Sequence, residues 1–188
     1  MLSKERHHLL ERQERAHLTG MIEIGEDNEI LFYDDINEDV SLLQLHQNER
    51  IEILLNGSWY DGTYLTEGQI LIPMGSHQLK TEDTLRIKKK VPYALEYMLK
   101  ELSDDSFLAF TAKLNSFSFS IYDCIYCYNQ MVFQEEADDK LGVSFFQFDN
   151  EEAICGLQHH FSRGSKQEDR FEFTTCTGKR ALLTQIHM

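Results

Sequence analysis

The chain is short of the residues that mark several large classes of protein. Its 188 residues include two prolines, four cysteines and one tryptophan. Four cysteines, all beyond residue 123, are too few and too unevenly spread for the disulfide framework of a small secreted domain. No apolar run approaches the roughly 18 residues of a membrane span, and the charges near the N-terminus argue against a secretory signal peptide. We therefore expect a cytoplasmic protein.

The motifs of common enzyme families are also missing. The sequence contains no G-x-x-x-x-G-K-[ST], G-x-G-x-x-G, H-E-x-x-H or G-x-S-x-G. These patterns bind phosphates or dinucleotides, ligate zinc, or present a serine nucleophile. We expect no cofactor, and the sequence gives no positive sign of an enzyme.

Acidic residues are abundant, and their distribution bears on the choice of partner. The formal net charge is -14, and residues 19–42 contain Asp and Glu without a single Lys or Arg. Such a field repels phosphate backbones and anionic lipid. The basic run Lys88-Lys89-Lys90 is typical of a solvated strand end. We expect neither nucleic acid nor a membrane as a partner.

The first ninety residues divide into two segments. Residues 1–18 predict a docking helix with an apolar stripe of Leu2, Leu9 and Ala16. This stripe suits contact with the rest of the protein, with a protein partner, or with a second copy in a homodimer. Residues 19–90 contain five or six short strands, and Asn56-Gly57 favours a type I′ hairpin. The pattern predicts a small SH3-like β-barrel.

Residues 91–188 predict an α+β domain. Pro92 suits the first turn of a helix, and the next 49 residues contain neither glycine nor proline, which favours helices. Beyond Gly142, four alternating segments separated by turns predict an antiparallel meander. The whole chain is therefore expected to be α+β, with two or three C-terminal helices packed on a four-stranded antiparallel sheet.

A C-x-x-C pair, Cys124 and Cys127, lies in the longest aromatic and aliphatic run, where two periodicities compete. Alternation over residues 116–121 favours a strand. A longer window steps by four and three, which favours a helix, and we prefer that interpretation. The stepping residues are Phe110, Leu114, Phe117, Ile121, Cys124, Tyr128 and Met131. On such a helix Cys124 is buried, and Asp123 disfavours a Cys127 thiolate, so a thioredoxin-like role is not expected.

A metal site is the alternative for these cysteines. Structural zinc needs four nitrogen or sulfur ligands, and Cys124 and Cys127 supply two with suitable spacing. Cys155, Cys176, His159 and His160 are the remaining suppliers, but no second close pair is present. His159 and His160 are neighbours in a strand and point to opposite faces. We favour core cysteines over a metal site.

Aromatic residues of the predicted barrel form a further candidate site. Trp59, Tyr60 and Tyr64 follow one another closely beside acidic loops. Small barrels commonly bind peptides through exposed aromatics. The three residues are therefore candidates for a peptide groove.

Several segments together carry a resemblance to a known family. They are Phe117–Cys127, Phe148-Asp-Asn with Ile154-Cys155, Gln158–Phe161, and Asp169–Thr174 with Thr177–Arg180. In these the chain resembles an uncharacterised family of cytosolic proteins from Bacillus-type bacteria, over nearly its whole length. That family is of unknown function, so the resemblance implies no activity, ligand or site.

Two functional hypotheses follow. The first is a non-catalytic interaction or regulatory module that binds a protein partner. It is supported by the aromatic-bearing barrel and the missing catalytic motifs. The second is a metal- or thiol-dependent enzyme that uses Cys124, Cys127 and either His159 or His160.

Overall fold

The computed structural model describes residues 4–26, 29–35 and 39–187. Its helices are α1 Lys4–Glu11, α2 Tyr93–Glu101 and α3 Asp104–Asn115. Its strands are β1 His17–Ile24, β2 Ile30–Asp34, β3 Val40–Leu42, β4 Arg50–Leu55, β5 Ser58–Tyr64, β6 Gln69–Ile72, β7 Gly75–Gln78, β8 Thr84–Lys88, β9 Cys124–Tyr128, β10 Lys140–Asp149, β11 Ile154–Arg163, β12 Gln167–Thr175 and β13 Arg180–His187. The expected α+β class is confirmed. Within the described ranges, no helix is both long and apolar enough to cross a membrane.

The chain divides into two compact units, each with its own hydrophobic core. One unit is His17–Lys89, and the other combines Met1–Ala16 with Lys90–Met188. The core of the first is built mainly from isoleucines and leucines of its strands. The core of the second joins α2 and α3 to one face of a sheet.

The unit His17–Lys89 is an eight-stranded sheet in the order β3-β2-β1-β8-β4-β5-β6-β7. The predicted hairpin at Asn56-Gly57 is confirmed, because both residues have positive φ, 51° and 78°, and Leu55 pairs with Ser58. Alternate residues of β4 and β8 are buried, and Ile53 and Leu85 have no exposed surface.

The predicted closed barrel is not what the described residues form. Among them, β3 and β7 are the two ends of the sheet and do not pair with each other. The end strands are short, and the three residues of β3 are all exposed. Strands with so little apolar surface to bury supply little driving force for closure.

The other unit packs α2 and α3 against a five-stranded antiparallel sheet in the order β13-β12-β11-β10-β9. The predicted meander forms β10 to β13, but a fifth strand, β9, extends it. Leu95, Met98 and Leu99 form the buried face of α2. Ser103 caps α3 by accepting a hydrogen bond from Ser106 N at 3.1 Å.

The preferred helix through the C-x-x-C pair is wrong. Helix α3 ends at Asn115, and Ser118 has a φ of 66°, which a helix cannot accommodate. Ser120 then begins a 3₁₀ turn, Ile121–Asp123, in which the Ser120 and Asp123 side chains form a capping box. Both cysteines follow in β9, because this local capping and a sheet edge outweigh the helical periodicity.

The N-terminal helix is shorter than predicted. Two arginines, one in the helix and one after it, attach this segment to the rest of its unit. The helix ends at Glu11, and β1 begins at His17. Arg6 pairs with Asp104 and donates to the Leu99 and Leu102 carbonyls at 2.9 and 2.6 Å. Of the predicted stripe, Leu9 packs on the core and Ala16 is buried, whereas Leu2 lies outside the described residues.

Arg15 makes the second attachment. Its Nε and Nη2 atoms donate to the two carboxylate oxygens of Asp123 at 2.8 and 2.7 Å. Nη2 also donates to the Ser118 carbonyl at 2.8 Å. The Asp123 side chain is 1% exposed and that of Arg15 is 27% exposed, so the carboxylate of this two-point ion pair is nearly removed from water. It fixes the turn that precedes β9.

Candidate functional site

The two cysteines of the C-x-x-C pair lie in the edge strand β9 and are partly buried. Cys124 pairs with Phe148, and Cys127 with Phe146. Burial, together with the neighbouring Cys127 thiol, raises the pKa of Cys124 to about 12. A thiol with this pKa is protonated near neutral pH and is a poor nucleophile or metal ligand. The position suits packing rather than thiol chemistry.

The remaining metal-site candidates do not converge on this pair. Cys155 lies in β11 and pairs with Phe148 from the opposite side to Cys124. Strand β10 lies between them, so two inter-strand spacings place the two cysteine backbones about 10 Å apart, whereas zinc requires sulfurs about 2.3 Å from one centre. Cys176 is exposed near the turn between β12 and β13. In the described part of the chain, no group of three His, Cys, Asp or Glu side chains could hold a metal ion.

His159 and His160 point to opposite faces of β11, as predicted. The His159 side chain is fully buried, and that of His160 is 29% exposed. Nδ1 of His160 accepts a hydrogen bond from Arg170 Nη2 at 3.2 Å. Arg170 in turn pairs with Glu172 at 2.9 Å. The two histidines therefore belong to separate environments and do not act as one site.

His159 belongs to a buried polar network. Its Nε2 lies 2.8 Å from Asp169 Oδ1, and both side chains have no exposed surface. Arg163 Nη2 donates to the same carboxylate oxygen at 2.6 Å. Ser106 Oγ, on α3, donates to Oδ2 at 3.1 Å. The network ties α3 to β11 and β12 through one carboxylate.

The protonation states of this network follow from burial and charge. Burial lowers the pKa of His159, and the hydrogen bond and charge of Asp169 offset this only in part. Burial alone would raise the pKa of Asp169, but the His159 hydrogen bond and the Arg163 charge lower it overall. The network is thus a neutral imidazole donating from Nε2 to a carboxylate that is balanced by Arg163.

An Asp–His pair is also a part of many hydrolases, but this one is sealed. A catalytic pair needs a nucleophile on the free imidazole nitrogen and access for substrate. Nδ1 of His159 has no hydrogen-bond partner among the described residues, and the ring stacks on Phe171 with centroids 4.5 Å apart. Ser106 bonds the carboxylate rather than the imidazole. The arrangement stabilises the fold and cannot turn over a substrate without opening.

The aromatic candidates of the other unit are divided between two faces of their sheet. Tyr60 and Tyr64 pack against the core. Trp59 is on the opposite face because side chains alternate along β5. There the Arg86 guanidinium lies 4.1 Å from the Trp59 ring, and Glu52 accepts from Arg86 at 3.0 Å. The structure does not bring the three residues onto one surface.

An exposed aromatic patch lies on the C-terminal sheet instead, on the face away from the helices. It consists of Tyr126, Tyr128, Phe133 and Phe145, which are 55%, 43%, 76% and 45% exposed. Tyr128 stacks on Phe133 with centroids 5.9 Å apart. Tyr128 and Phe145 are direct cross-strand neighbours. We call these four residues the aromatic patch.

A cleft of about 280 Å³ opens on the same face of the sheet. Leu141 and Val143 of β10 form its apolar side, and His160, Glu168 and Arg170 form its polar side. The Val143–His160 cross-strand pair lies two positions along β10 from the Phe145–Gln158 pair. The cleft therefore begins next to the aromatic patch.

Residues 4–185 match the model of a family described as "Protein of unknown function (DUF2777)". The chain belongs to this family. A further relative is the "Uncharacterized protein YisN" of Bacillus subtilis (strain 168), which is 32% identical over 182 residues, covering 95% of this chain and 91% of that protein. The predicted resemblance to a family of unknown function with a Bacillus member is confirmed. No solved structure matches the chain.

Because the DUF2777 family is of unknown function, the site is inferred from the structure. Two groups of residues were not predicted from the sequence: the partners of His159 and the aromatic patch. Asp169 and Arg163 were not recognised as partners of His159. Alternation in β11 puts Cys155, Leu157, His159 and Phe161 on one buried face, and a buried histidine needs a polar partner. The alternation alone could therefore have indicated a buried polar partner for His159. The aromatic patch was hidden because Tyr126, Tyr128 and Phe133 were assigned to a nearly buried helix.

Proposed function

We propose that this member of the DUF2777 family is a non-catalytic interaction module, and that the aromatic patch is its contact surface. The observation that supports this is the exposure of four neighbouring aromatic rings, three on one sheet face and the fourth, Phe133, stacked on Tyr128. Aromatic side chains are enriched at protein interfaces because they bury a large area with few rotatable bonds. Contiguous exposed apolar groups on a soluble domain mark binding sites.

The chemistry of the other candidates supports the same choice. Burial raises the pKa of Cys124 to about 12 and that of Cys155 to about 11, so neither supplies a thiolate near neutral pH. The His159–Asp169 pair is enclosed by the core. An interface needs neither group, and the patch needs no rearrangement to be reached.

Affinity capture with paired variants tests the proposal. Three baits are compared: the wild type, a patch variant with Tyr126→Ser and Phe145→Ser, and a matched control with Leu71→Ser and Met74→Ser. Leu71 and Met74 are exposed apolar residues of the other unit. We expect the wild type and the control to capture one common partner, and the patch variant to lose it. Each captured protein is then purified and its affinity measured directly. Equal affinity for all three baits would contradict the proposal.

A further inference from the structure

The aromatic patch lies beside a strand edge that the fold leaves unprotected. In the described residues, β9 pairs with β10 on one side and with no strand on the other. Its sequence, Cys-Ile-Tyr-Cys-Tyr, has no charge and no proline. Proteins commonly protect an exposed edge with lysine, proline or a covering segment, because free backbone N–H and C=O groups are a template for another strand.

The edge of β10, next to β9 in the same sheet, is protected, unlike the edge of β9. Beyond the end of β9, the edge of β10 is covered by two glutamine amides. Gln134 donates to the Leu141 carbonyl and accepts from Leu141 N, both at 3.0 Å. Gln130 Oε1 accepts from Val143 N at 3.0 Å. These amides imitate a paired strand, whereas in the described part of the chain no side chain of another segment bonds the backbone of β9, and the Tyr126 carbonyl accepts from Cys124 Sγ of the same strand at 3.4 Å.

Irregular pairing limits what can be added to β9. The register with β10 shifts at Ile125, so that Tyr126 faces Gln147 and Cys124 faces Phe148. A bulge of this kind bends the strand and interrupts regular pairing. The regular part of the edge is therefore Tyr126–Tyr128, which suits a short extended segment better than a long strand of another sheet.

Charge at the patch selects the occupant. Phe133 is followed by four exposed carboxylates: Glu135, Glu136, Asp138 and Asp139. The adjacent Lys140 does not offset them, because its side chain is 12% exposed and pairs with Glu101 at 3.5 Å. The patch is thus bordered by an acidic loop. Two copies of this surface would bring like charges together, which disfavours a homodimer through β9.

We infer that β9 accepts an added antiparallel or parallel strand from a partner segment that alternates basic and apolar residues. This inference rests on the proposed function and names the partner chemistry of the same surface. Backbone hydrogen bonds to β9 provide the pairing, as in other cases of strand addition. Apolar side chains of the segment cover the aromatic patch, and its basic side chains face the acidic loop.

Fluorescence anisotropy with short synthetic peptides tests the inference. The probe is a labelled peptide of alternating lysine and isoleucine, and two matched peptides replace lysine by glutamate or carry N-methyl groups on alternate amides. We expect saturable binding of the probe that weakens as salt is added. The N-methylated peptide lacks the donors for strand pairing and should not bind, nor should the glutamate peptide. Equal binding of either control, or no binding of the probe, would overturn the inference.

Protein variants locate the contact on the molecule. Neutralising the acidic loop by E135Q, E136Q, D138N and D139N should weaken probe binding about tenfold, since each rim pair contributes a small amount. The matched control neutralises four exposed carboxylates elsewhere, E67Q, E82Q, E151Q and E152Q, and should leave affinity unchanged. An equal loss in both variants would indicate non-specific attraction and overturn the inference.

Two further results separate this inference from the proposed function. If partner capture depends on Tyr126 and Phe145 but the probe does not bind, the patch contacts a folded surface, and only strand addition is overturned. Sedimentation velocity of the protein alone tests a second copy as the occupant. A dimer abolished by the same two substitutions would also overturn the basic-segment inference.

Discussion

Asp169 is the residue on which three hydrogen bonds of one buried polar network converge. One carboxylate accepts from His159, Arg163 and Ser106, and it has no exposed surface. Burying such a group is costly, but removing one partner from a buried pair costs more, because the remaining charge stays away from water. The network therefore makes the unit intolerant of small changes at this point.

Asp169→Asn should destabilise the protein by about 3–5 kcal/mol, because Arg163 is left without a buried counter-charge. Urea unfolding followed by circular dichroism measures the loss. The matched control is Glu172→Gln on the same strand, whose side chain is 40% exposed and should change stability by less than about 1 kcal/mol. A loss below about 1 kcal/mol for Asp169→Asn would contradict the assigned role.

His159 gives stability a defined dependence on pH. Because burial lowers its pKa below the ordinary value of about 6.5, the unfolded chain binds a proton more readily than the folded one. Stability is thus fully present above about pH 6.5 and is lost as the pH falls, by at most about 1.4 kcal/mol per pH unit. Asp169 has a lowered pKa and adds a loss only at more acidic pH.

Replacing His159 by Gln should reduce the loss of stability between about pH 7 and pH 5, since the titrating group is gone while a donor to Asp169 remains. Unfolding free energies at several pH values test this. His160→Gln is the control, because it removes an imidazole from the other face of the same strand, away from Asp169. Identical slopes for His159→Gln and the wild type would assign the acid sensitivity to another group.

At the scale of elements, the glutamine cover of β10 depends on one glycine. A Cβ at Gly142 would lie 2.3 Å from Gln130 Oε1 and 3.0 Å from the Phe161 ring. The Gln130 side chain can move, but it would then lose its hydrogen bond to Val143 N. The absence of a side chain at Gly142 therefore lets the amide reach the strand edge.

Gly142→Ala should cost about 1–3 kcal/mol, from overpacking and the lost hydrogen bond. Gly156→Ala is the matched control in the neighbouring strand, where the nearest atom to an added Cβ is the Thr174 carbonyl oxygen at 3.8 Å. Hydrogen exchange should show faster exchange of the Val143 amide in the Gly142 variant alone. Equal stability and exchange in the two variants would show that the amide cover is not needed.

Elements signalled by local chemistry could be predicted, and those decided by distant contacts could not. Asn56-Gly57 and Ser103 specify a turn and a helix cap by their own conformational preferences. The segment around Ser118 carries a convincing helical period, yet its turn is fixed by Arg15, more than a hundred residues earlier in the chain. The helical spacing identified apolar residues correctly, but it did not identify the secondary structure to which they belong.

The candidate site also has a part that could be predicted from the sequence and a part that could not. Opposite faces for His159 and His160 followed from strand geometry alone. The aromatic patch could not be predicted, because Tyr126 and Tyr128 are exposed only when β9 is an edge strand with its own face turned outward. Exposure is a property of the whole sheet, and no local pattern determines it.

At the scale of the whole molecule, one unit is inserted into the sequence of the other. The unit His17–Lys89 interrupts the second unit between Ala16 and Lys90. Its ends are neighbours, because His17 and Lys88 are directly paired in adjacent strands, whose backbones lie about 5 Å apart. Neither core includes residues of the other unit. Units with separate cores and adjacent ends can be separated genetically.

Deleting His17–Lys89 and joining Ala16 to Lys90 through a short Gly-Ser linker should leave a protein that unfolds cooperatively. The linker has to bridge only the short distance between the two adjacent strands at which the deleted unit begins and ends. His17–Lys89 expressed alone should also unfold cooperatively, since its isoleucine-rich core is complete. The matched control deletes a segment within one unit, Gln167–His187, which removes β12 and β13 and should abolish cooperative unfolding. Calorimetry distinguishes these outcomes. If the linked protein showed no cooperative transition, its core would require the inserted unit, and the two units would form one folding domain.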